Sequence, residues 1–407
     1  DGVAPAERAG RLVVVDLYDP DSYVGAPPHE VLAELRRTQP VYFQSMADEP
    51  GYWMVLKHAD VVHVAREPKL FSASEGGVML ENLAPEQLDM MRNMLLAMDP
   101  PRHVDYRRPI APRFKARVIA NMEDQIRGIC REIMDAAAEQ KDVEFVHDVT
   151  STLPSRVIGQ LMGLPAEDLP MIHRLAEMNT SGQDADYAAD VSQGTIDMAM
   201  YAIQFAAQRR AEEPREDLTT LLLETDFNGT YMTDLDFGSF FVQLVTAGND
   251  TTKTMLSSGL RARLDHPGQL ADLRADRGLV PGAVEEILRY ENPLHYFRRT
   301  ATADAQLRGV DIVAGDKVVM FYTSANRDED VFDDPQRFDI RRSPNPHLSF
   351  GIAEHFCLGV HLARLEGRVF FEELLATFPT IELTGEPVRI RSNLNNALKS
   401  LPVRLAR

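Results

Sequence analysis

From Asp234 to Leu264 the chain carries a long, mostly apolar stretch in helical period, and no other segment constrains the fold as much. A helix that is apolar on most of its faces has to be buried inside other structure. Helical periodicity dominates from about Asp99 to Asp265, with further helices predicted over Val118–Gln140, Ser155–Met162 and Asp190–Arg210. Ahead of this region a short helix is predicted around Pro28–Thr38. Two strand-like runs follow, Val41–Ser45 and Tyr52–Leu56, with Glu49-Pro50-Gly51 as the turn. After Arg289 the texture changes to short β-type runs, Gln306–Val313 and Lys317–Tyr322, and a last helix is predicted over Gly359–Phe378. Helices outnumber strands, and the strands cluster at the two ends. The expectation is a mainly α protein with small β-sheets, forming one domain over residues 1–407. Within it, a β-rich portion covers about 40–60 and a helical portion about 99–290.

The charge excludes some functions. With 62 Asp+Glu against 43 Lys+Arg the net charge is −19, which argues against nucleic acid as a partner, since that needs a basic footprint. Anionic membranes are disfavoured for the same reason. No run of about 18 apolar residues offers a membrane anchor. The opening DGVAPAERAG lacks the charged-then-apolar pattern of a secretory signal. A cytoplasmic monomer is therefore expected. Two cysteines, Cys130 and Cys357, are too few for a disulfide framework or a multi-cysteine zinc site.

One of the two stands in a distinctive loop, Phe350-Gly351-Ile352-Ala353-Glu354-His355-Phe356-Cys357-Leu358-Gly359. A lone cysteine is commonly a buried, inert residue. Here Gly351 permits backbone conformations that a Cβ resists, Gly359 permits close approach, and a helix pattern starts directly afterwards. A sulfur beside the N–H groups of a helix start is favoured as thiolate. The segment 350–359 resembles the cysteine-ligand loop of the cytochrome P-450 family, Phe-Gly-x-Gly-x-His-x-Cys-x-Gly, with Ala353 where the family has glycine. The resemblance implies a b-type haem whose iron takes Cys357 as axial thiolate, a ligand that pushes electron density toward the metal and assists O–O cleavage. Phe350, Gly351, His355 and Gly359 would belong to the same haem-binding loop.

Further motifs extend the resemblance from about Asp99 to Phe378. Glu286-Ile287-Leu288-Arg289 resembles the family's Glu-x-x-Arg helix, and Pro335-Gln336-Arg337-Phe338 its partner segment. On their own an i, i+3 Glu–Arg pair makes an ordinary helix contact; the resemblance assigns Glu286, Arg289 and Arg337 to a structural ion network. In the long apolar helix, Ala247-Gly248-Asn249-Asp250-Thr251-Thr252 is poor helix-centre sequence. It reads either as a kink with Asp250 in solvent or as a functional interruption. It resembles the family's acid–alcohol pair, which implies that Ala247 and Gly248 leave room for dioxygen over the haem. Thr251 would then hold dioxygen by a hydrogen bond and Asp250 would relay protons. Members of the family that use peroxide typically lack this pair, so a reductive monooxygenase is expected.

Haem carries two propionates. The segment Asp99–Arg117 holds six Lys/Arg against two acids inside an acidic chain. His103 and Arg107, four apart on one helix face, resemble the family's propionate helix. Arg299, more than its neighbour Arg298, and His355 complete the expected set. Arg113, Lys115, Arg364 and Arg368 are candidates for docking an acidic ferredoxin, itself served by a ferredoxin reductase.

Met and Leu crowd Val78–Met98, which reads either as core or as an adaptable apolar wall. The pocket is expected to be lined by Met79, Leu80, Met94, Phe241, Leu244, Leu294, His295 and Phe297, a structural role for His295 standing as the alternative. A hydrophobic substrate follows: a terpenoid, fatty-acid derivative, sterol or steroid. The reaction expected is insertion of one oxygen atom from O2, usually as hydroxylation. A haem-thiolate ligand-binding or sensor protein without turnover is the other reading, and the Asp250–Thr251 pair argues against it.

Overall fold

The computed structural model describes residues 15–188 and 191–407. The helices that build the site are α1 (Arg102–Ile110), α2 (Glu123–Gln140), α3 (Thr152–Met162), α4 (Leu169–Thr180), α5 (Val191–Arg210), α6 (Asp234–Leu264), α7 (Val280–Tyr290) and α8 (Val360–Thr377). The long apolar stretch is the single helix α6, packed against α3, α4, α5, α7 and α8. Its start is set by a capping box: Asp236 N–H donates to Thr233 Oγ1 at 3.1 Å and Thr233 N–H to the Asp236 carboxylate at 3.0 Å. Phe237, Phe240, Phe241, Val245, Met255, Leu256 and Leu260 are all buried, so tertiary packing carries the helix through its unfavourable Gly248–Thr252 centre.

The helix predicted over Val118–Gln140 is broken. A short helix, Ala116–Ala120, ends where Asn121 N–H bonds the Val118 carbonyl at 3.2 Å, and α2 restarts with Glu123 and Asp124 in its first turn. Acidic residues are stabilising at a helix N-terminus, which favours a fresh start there. The run Gln306–Val313 is likewise two strands, Ala305–Leu307 and Val310–Ile312, turning through Arg308 (φ 50°) and Gly309 (φ 81°). Two successive positive φ values match the twist of a tight hairpin.

The main sheet joins β1 (Val41–Gln44), β2 (Tyr52–Val55), β3 (Phe71–Ser72), β4 (Tyr296–Ala301) and β5 (Lys317–Phe321) in the order β1-β2-β5-β4-β3. β1 and β2 pair antiparallel across the Glu49-Pro50-Gly51 turn, and β2 pairs parallel with β5 from Tyr52 opposite Lys317. Strands from before and after the helical region thus share one sheet, and β4 presents Arg299 from its middle.

Behind α7, Glu286 and Arg289 are fully buried and doubly bonded to each other at 2.7 and 2.8 Å. Arg289 also donates to the carbonyls of Asn326, Pro335 and Arg337. The expected third member differs. Arg337 is exposed and contributes its carbonyl only, while Arg342 places its guanidinium on Glu286 at 3.2 Å. A buried carboxylate is satisfied by the cations that reach it, and the chain turns Arg337 outward and Arg342 inward.

Candidate functional site

A cavity of about 260 Å³ lies between α6 and the start of α8, lined by residues from α1, α3, α6, α8, β4 and the loop before α8. The loop is built on two left-handed residues, Gly351 (φ 66°) and Ala353 (φ 60°), followed by a short turn over Ala353–His355. Cys357 N–H donates to the Phe350 carbonyl at 2.8 Å, which closes the loop and leaves the sulfur on the cavity wall. Burial pushes the Cys357 thiol up; the Gly359 N–H, Arg107 and Arg364 act in the opposite direction. A cation bound at the sulfur would favour the thiolate here. Phe350, Gly351, His355 and Gly359 all reach the same cavity.

The edge of the cavity carries two imidazoles with unsatisfied ring nitrogens. The His103 and His355 rings are 4.4 Å apart, and His103 Nδ1, His103 Nε2 and His355 Nε2 are buried without a hydrogen bond. Burial, together with Arg107 and Arg299, lowers His103 to about 4; burial, Arg299, His103 and Arg107 lower His355 to about 2. Two cations beside neutral, unsatisfied donors suit an anionic group with several acceptor oxygens. A haem fits these residues: one sulfur donor on one wall, and two arginines and two histidines to receive carboxylates. No cluster of three or more His, Cys, Asp or Glu able to hold a bare metal ion occurs among the described residues. Arg298 faces away, donating to Asn82 Oδ1 at 3.1 Å and to the carbonyls of Met79, Leu80 and Glu81.

On α6, Ala247, Gly248 and Thr251 line the cavity opposite Cys357, and Thr251 Oγ1 donates to the Ala247 carbonyl at 2.8 Å. The space expected at Gly248 is already used in part, because a Cβ there would meet Ile158 of α3 at 3.3 Å. This glycine lets α3 and α6 close on each other. Asp250 does not line the cavity. Its carboxylate accepts from Thr180 of α4 and pairs with Lys253 at 3.4 Å, and Lys253 also binds Glu177 of α4 at 2.8 Å.

Of the eight residues expected to line the pocket, Leu244, Leu294 and Phe297 do so. Leu80 is core packing against the main sheet, with Tyr52 and Tyr296. Met79 presents its carbonyl to Arg298, and Met94 packs on the helical core while the following Leu95 and Leu96 take the cavity wall. Phe241 joins an aromatic group with Tyr201, Phe205 and Phe237 on the opposite face of α6. His295 is structural, bonded to Thr323 Oγ1 at 2.6 Å and packed on Tyr23, with burial lowering it to about 3. The sequence reading missed Ile158, Gln243, Thr252 and Glu366, which all reach the cavity. Gln243 and Glu366 were visible only as single polar residues inside apolar helical patterns.

Among the docking candidates, Arg364 is held by Glu285 at 2.7 and 2.8 Å, and Arg368 by Glu123 and Glu372. Arg113 and Lys115 are exposed and form no ion pair among the described residues. No helix of the described residues is long and apolar enough to cross a membrane.

Comparison with known proteins agrees with this geometry. The cytochrome P450 family model matches residues 168–405. The chain is 37% identical over 383 residues to a steroid C26-monooxygenase of Mycolicibacterium smegmatis, covering 91% of this chain and 89% of that protein. It is also 37% identical over 385 residues to a methyl-branched lipid omega-hydroxylase of Mycobacterium tuberculosis, again covering 91% and 89%. A cytochrome P450 of Mycobacterium marinum, solved in complex with pseudoionone, superposes with a TM-score of 0.91 at 36% identity over the whole of both chains. With its thiolate loop, its mainly α fold and relatives that are monooxygenases along nearly its full length, the chain belongs to the cytochrome P450 family of haem-thiolate monooxygenases.

Proposed function

We propose that this monooxygenase hydroxylates an unactivated C–H bond of a steroid or lipid, with Cys357 as the haem ligand and electrons from a ferredoxin-type partner. The observation that carries the reading is one cavity with Cys357 on one wall, Thr251 on the other, and the unpartnered His103 and open Nε2 of His355 beside Arg107 and Arg299 at its edge. When bound there, haem supplies reductive activation of dioxygen and transfer of one oxygen atom to carbon. Arg107, Arg299, His103 and His355 hold its propionates through charge-assisted hydrogen bonds. Gly359 N–H and Arg107 support negative charge on Cys357. Leu95, Leu96, Ile158, Leu244, Leu294 and Phe297 exclude water and orient an apolar substrate.

Thr251 holds its hydroxyl proton at the cavity wall, on the Ala247 carbonyl, and can redirect it toward dioxygen. Asp250, the next residue back on α6, bonds Thr180 and Lys253, and Lys253 binds Glu177, a polar cluster on the α4 side of the helix from which protons can be supplied. The relatives' steroid and methyl-branched lipid substrates and the apolar lining support the substrate class. Arg113 and Lys115 support an acidic electron donor.

The ligand assignment is tested by the absorbance of the reduced, carbon-monoxide-bound protein. Wild type and Cys130→Ala should show the red-shifted Soret band of a thiolate-ligated haem, and Cys357→Ala should lose it. A band retained in Cys357→Ala overturns the assignment. In Thr251→Ala, reductant consumption should continue with hydrogen peroxide released in place of product; tight coupling would remove the role given to Thr251.

A further inference from the structure

One polar side chain on the cavity wall has no part in the chemistry described above. Gln243 lies on α6 four residues before Ala247 and eight before Thr251, and it reaches the cavity. Its amide makes no hydrogen bond among the described residues, and its Oε1 is buried without a partner. One turn further on, the Thr246 hydroxyl is also buried and unpartnered. Around Gln243 the lining is apolar, from Leu95, Leu96, Leu244, Leu294 and Phe297.

The Oε1 is closed off by its neighbours, so the end of the amide open to the cavity is its NH2, and the site favours a molecule that brings an acceptor oxygen to it. A hydroxyl is a compact uncharged group that supplies such an acceptor. With a rise of 1.5 Å per residue, Gln243 stands about 6 Å along the helix from Ala247 and about 12 Å from Thr251. We infer that Gln243 is a specificity-determining residue that hydrogen-bonds a single hydroxyl group on an otherwise apolar substrate. The inference rests on the cavity being the site of an apolar steroid or lipid substrate. It narrows that class to alcohols.

The test uses the haem-loaded protein and a matched pair of probes, decan-1-ol and undecane. Dissociation constants are taken from the ligand-induced absorbance shift and from calorimetry. Wild type should bind the alcohol roughly tenfold or more tightly than the hydrocarbon, on the scale by which sites with a polar contact discriminate. Gln243→Leu should bring the ratio close to one while undecane affinity and the carbon-monoxide spectrum stay as in wild type. Gln243→Met, of similar length, should behave alike and guards against a folding defect in the first variant. Equal binding of both probes by wild type, as when a water already satisfies the amide, overturns the inference alone. A preference that survives in both variants does the same. Failure of either probe to bind overturns it together with the apolar-substrate reading beneath it.

Discussion

Ala353 holds φ at 60°, in the left-handed region where a Cβ crowds the following carbonyl. The family's glycine at this position has a conformational reason, and the alanine keeps the loop geometry at a local cost. Ala353→Gly should therefore stabilise the fold by up to about 1 kcal/mol, the relief of strain being partly offset by the freer unfolded chain. A raised urea midpoint with unchanged slope is the expected result, and a lowered midpoint would contradict it. Glu366 is a second residue whose character comes from its surroundings. It is fully buried on α8 with Oε2 unpartnered, and burial lifts it from 4.5 to about 8. The folded protein then keeps a proton that the unfolded chain gives up, so the associated stability is full below about pH 4.5 and is lost as pH rises toward 8. Glu366→Gln should flatten the stability profile between pH 5 and 8 and gain of order 3 kcal/mol at pH 8. Urea unfolding across that range checks it, and an unchanged slope would remove Glu366 as the source.

At the scale of elements, α7 shows how a motif can be read correctly while one partner is misplaced. Glu286 and Arg289 were legible through the resemblance of their Glu-x-x-Arg segment to the family's, since the i, i+3 spacing alone shows only that both share one helix face. Their third partner was not, since Arg337 and Arg342 are equally plausible in sequence and only the turn between them aims Arg342 at Glu286. Arg289→Met should cost about 3–5 kcal/mol by leaving Glu286 buried with too little compensation. Arg337→Met should stay within about 0.5 kcal/mol of wild type. Thermal unfolding of the two variants distinguishes the arrangements, and equal losses would restore Arg337 to the network. Helix α6 gives a related lesson. Its existence and limits followed from its period, but its faces did not. Phe241 and Leu244 look alike in sequence, yet one packs on α5 and the other reaches the cavity.

For the whole molecule, the formal charge of −19 conceals exposed cations on the segment that follows α1. Arg113 and Lys115 are free to meet an acidic donor, whereas Arg364 and Arg368 are neutralised by Glu285, Glu123 and Glu372. Charge reversal, Arg113→Glu with Lys115→Glu, should raise the KM for an acidic ferredoxin several-fold at low salt and leave kcat unchanged. The difference should fade near 0.5 M salt, as screening removes steering between exposed charges. A salt-independent effect would point to misfolding in place of docking.

The sequence by itself determined the long helix, the strands at its two ends, the cysteine loop and the Glu-x-x-Arg pair. These are set by local period, spacing and backbone permission, all of which are written in consecutive residues. Tertiary structure decided which side chains meet. It turned Asp250 from the cavity toward Thr180 and Lys253, made His295 a core residue, and set Gln243 and Glu366 on the cavity wall. Those outcomes depend on how helices rotate against one another and on what burial does to a polar group, and neither quantity is contained in any single stretch of chain.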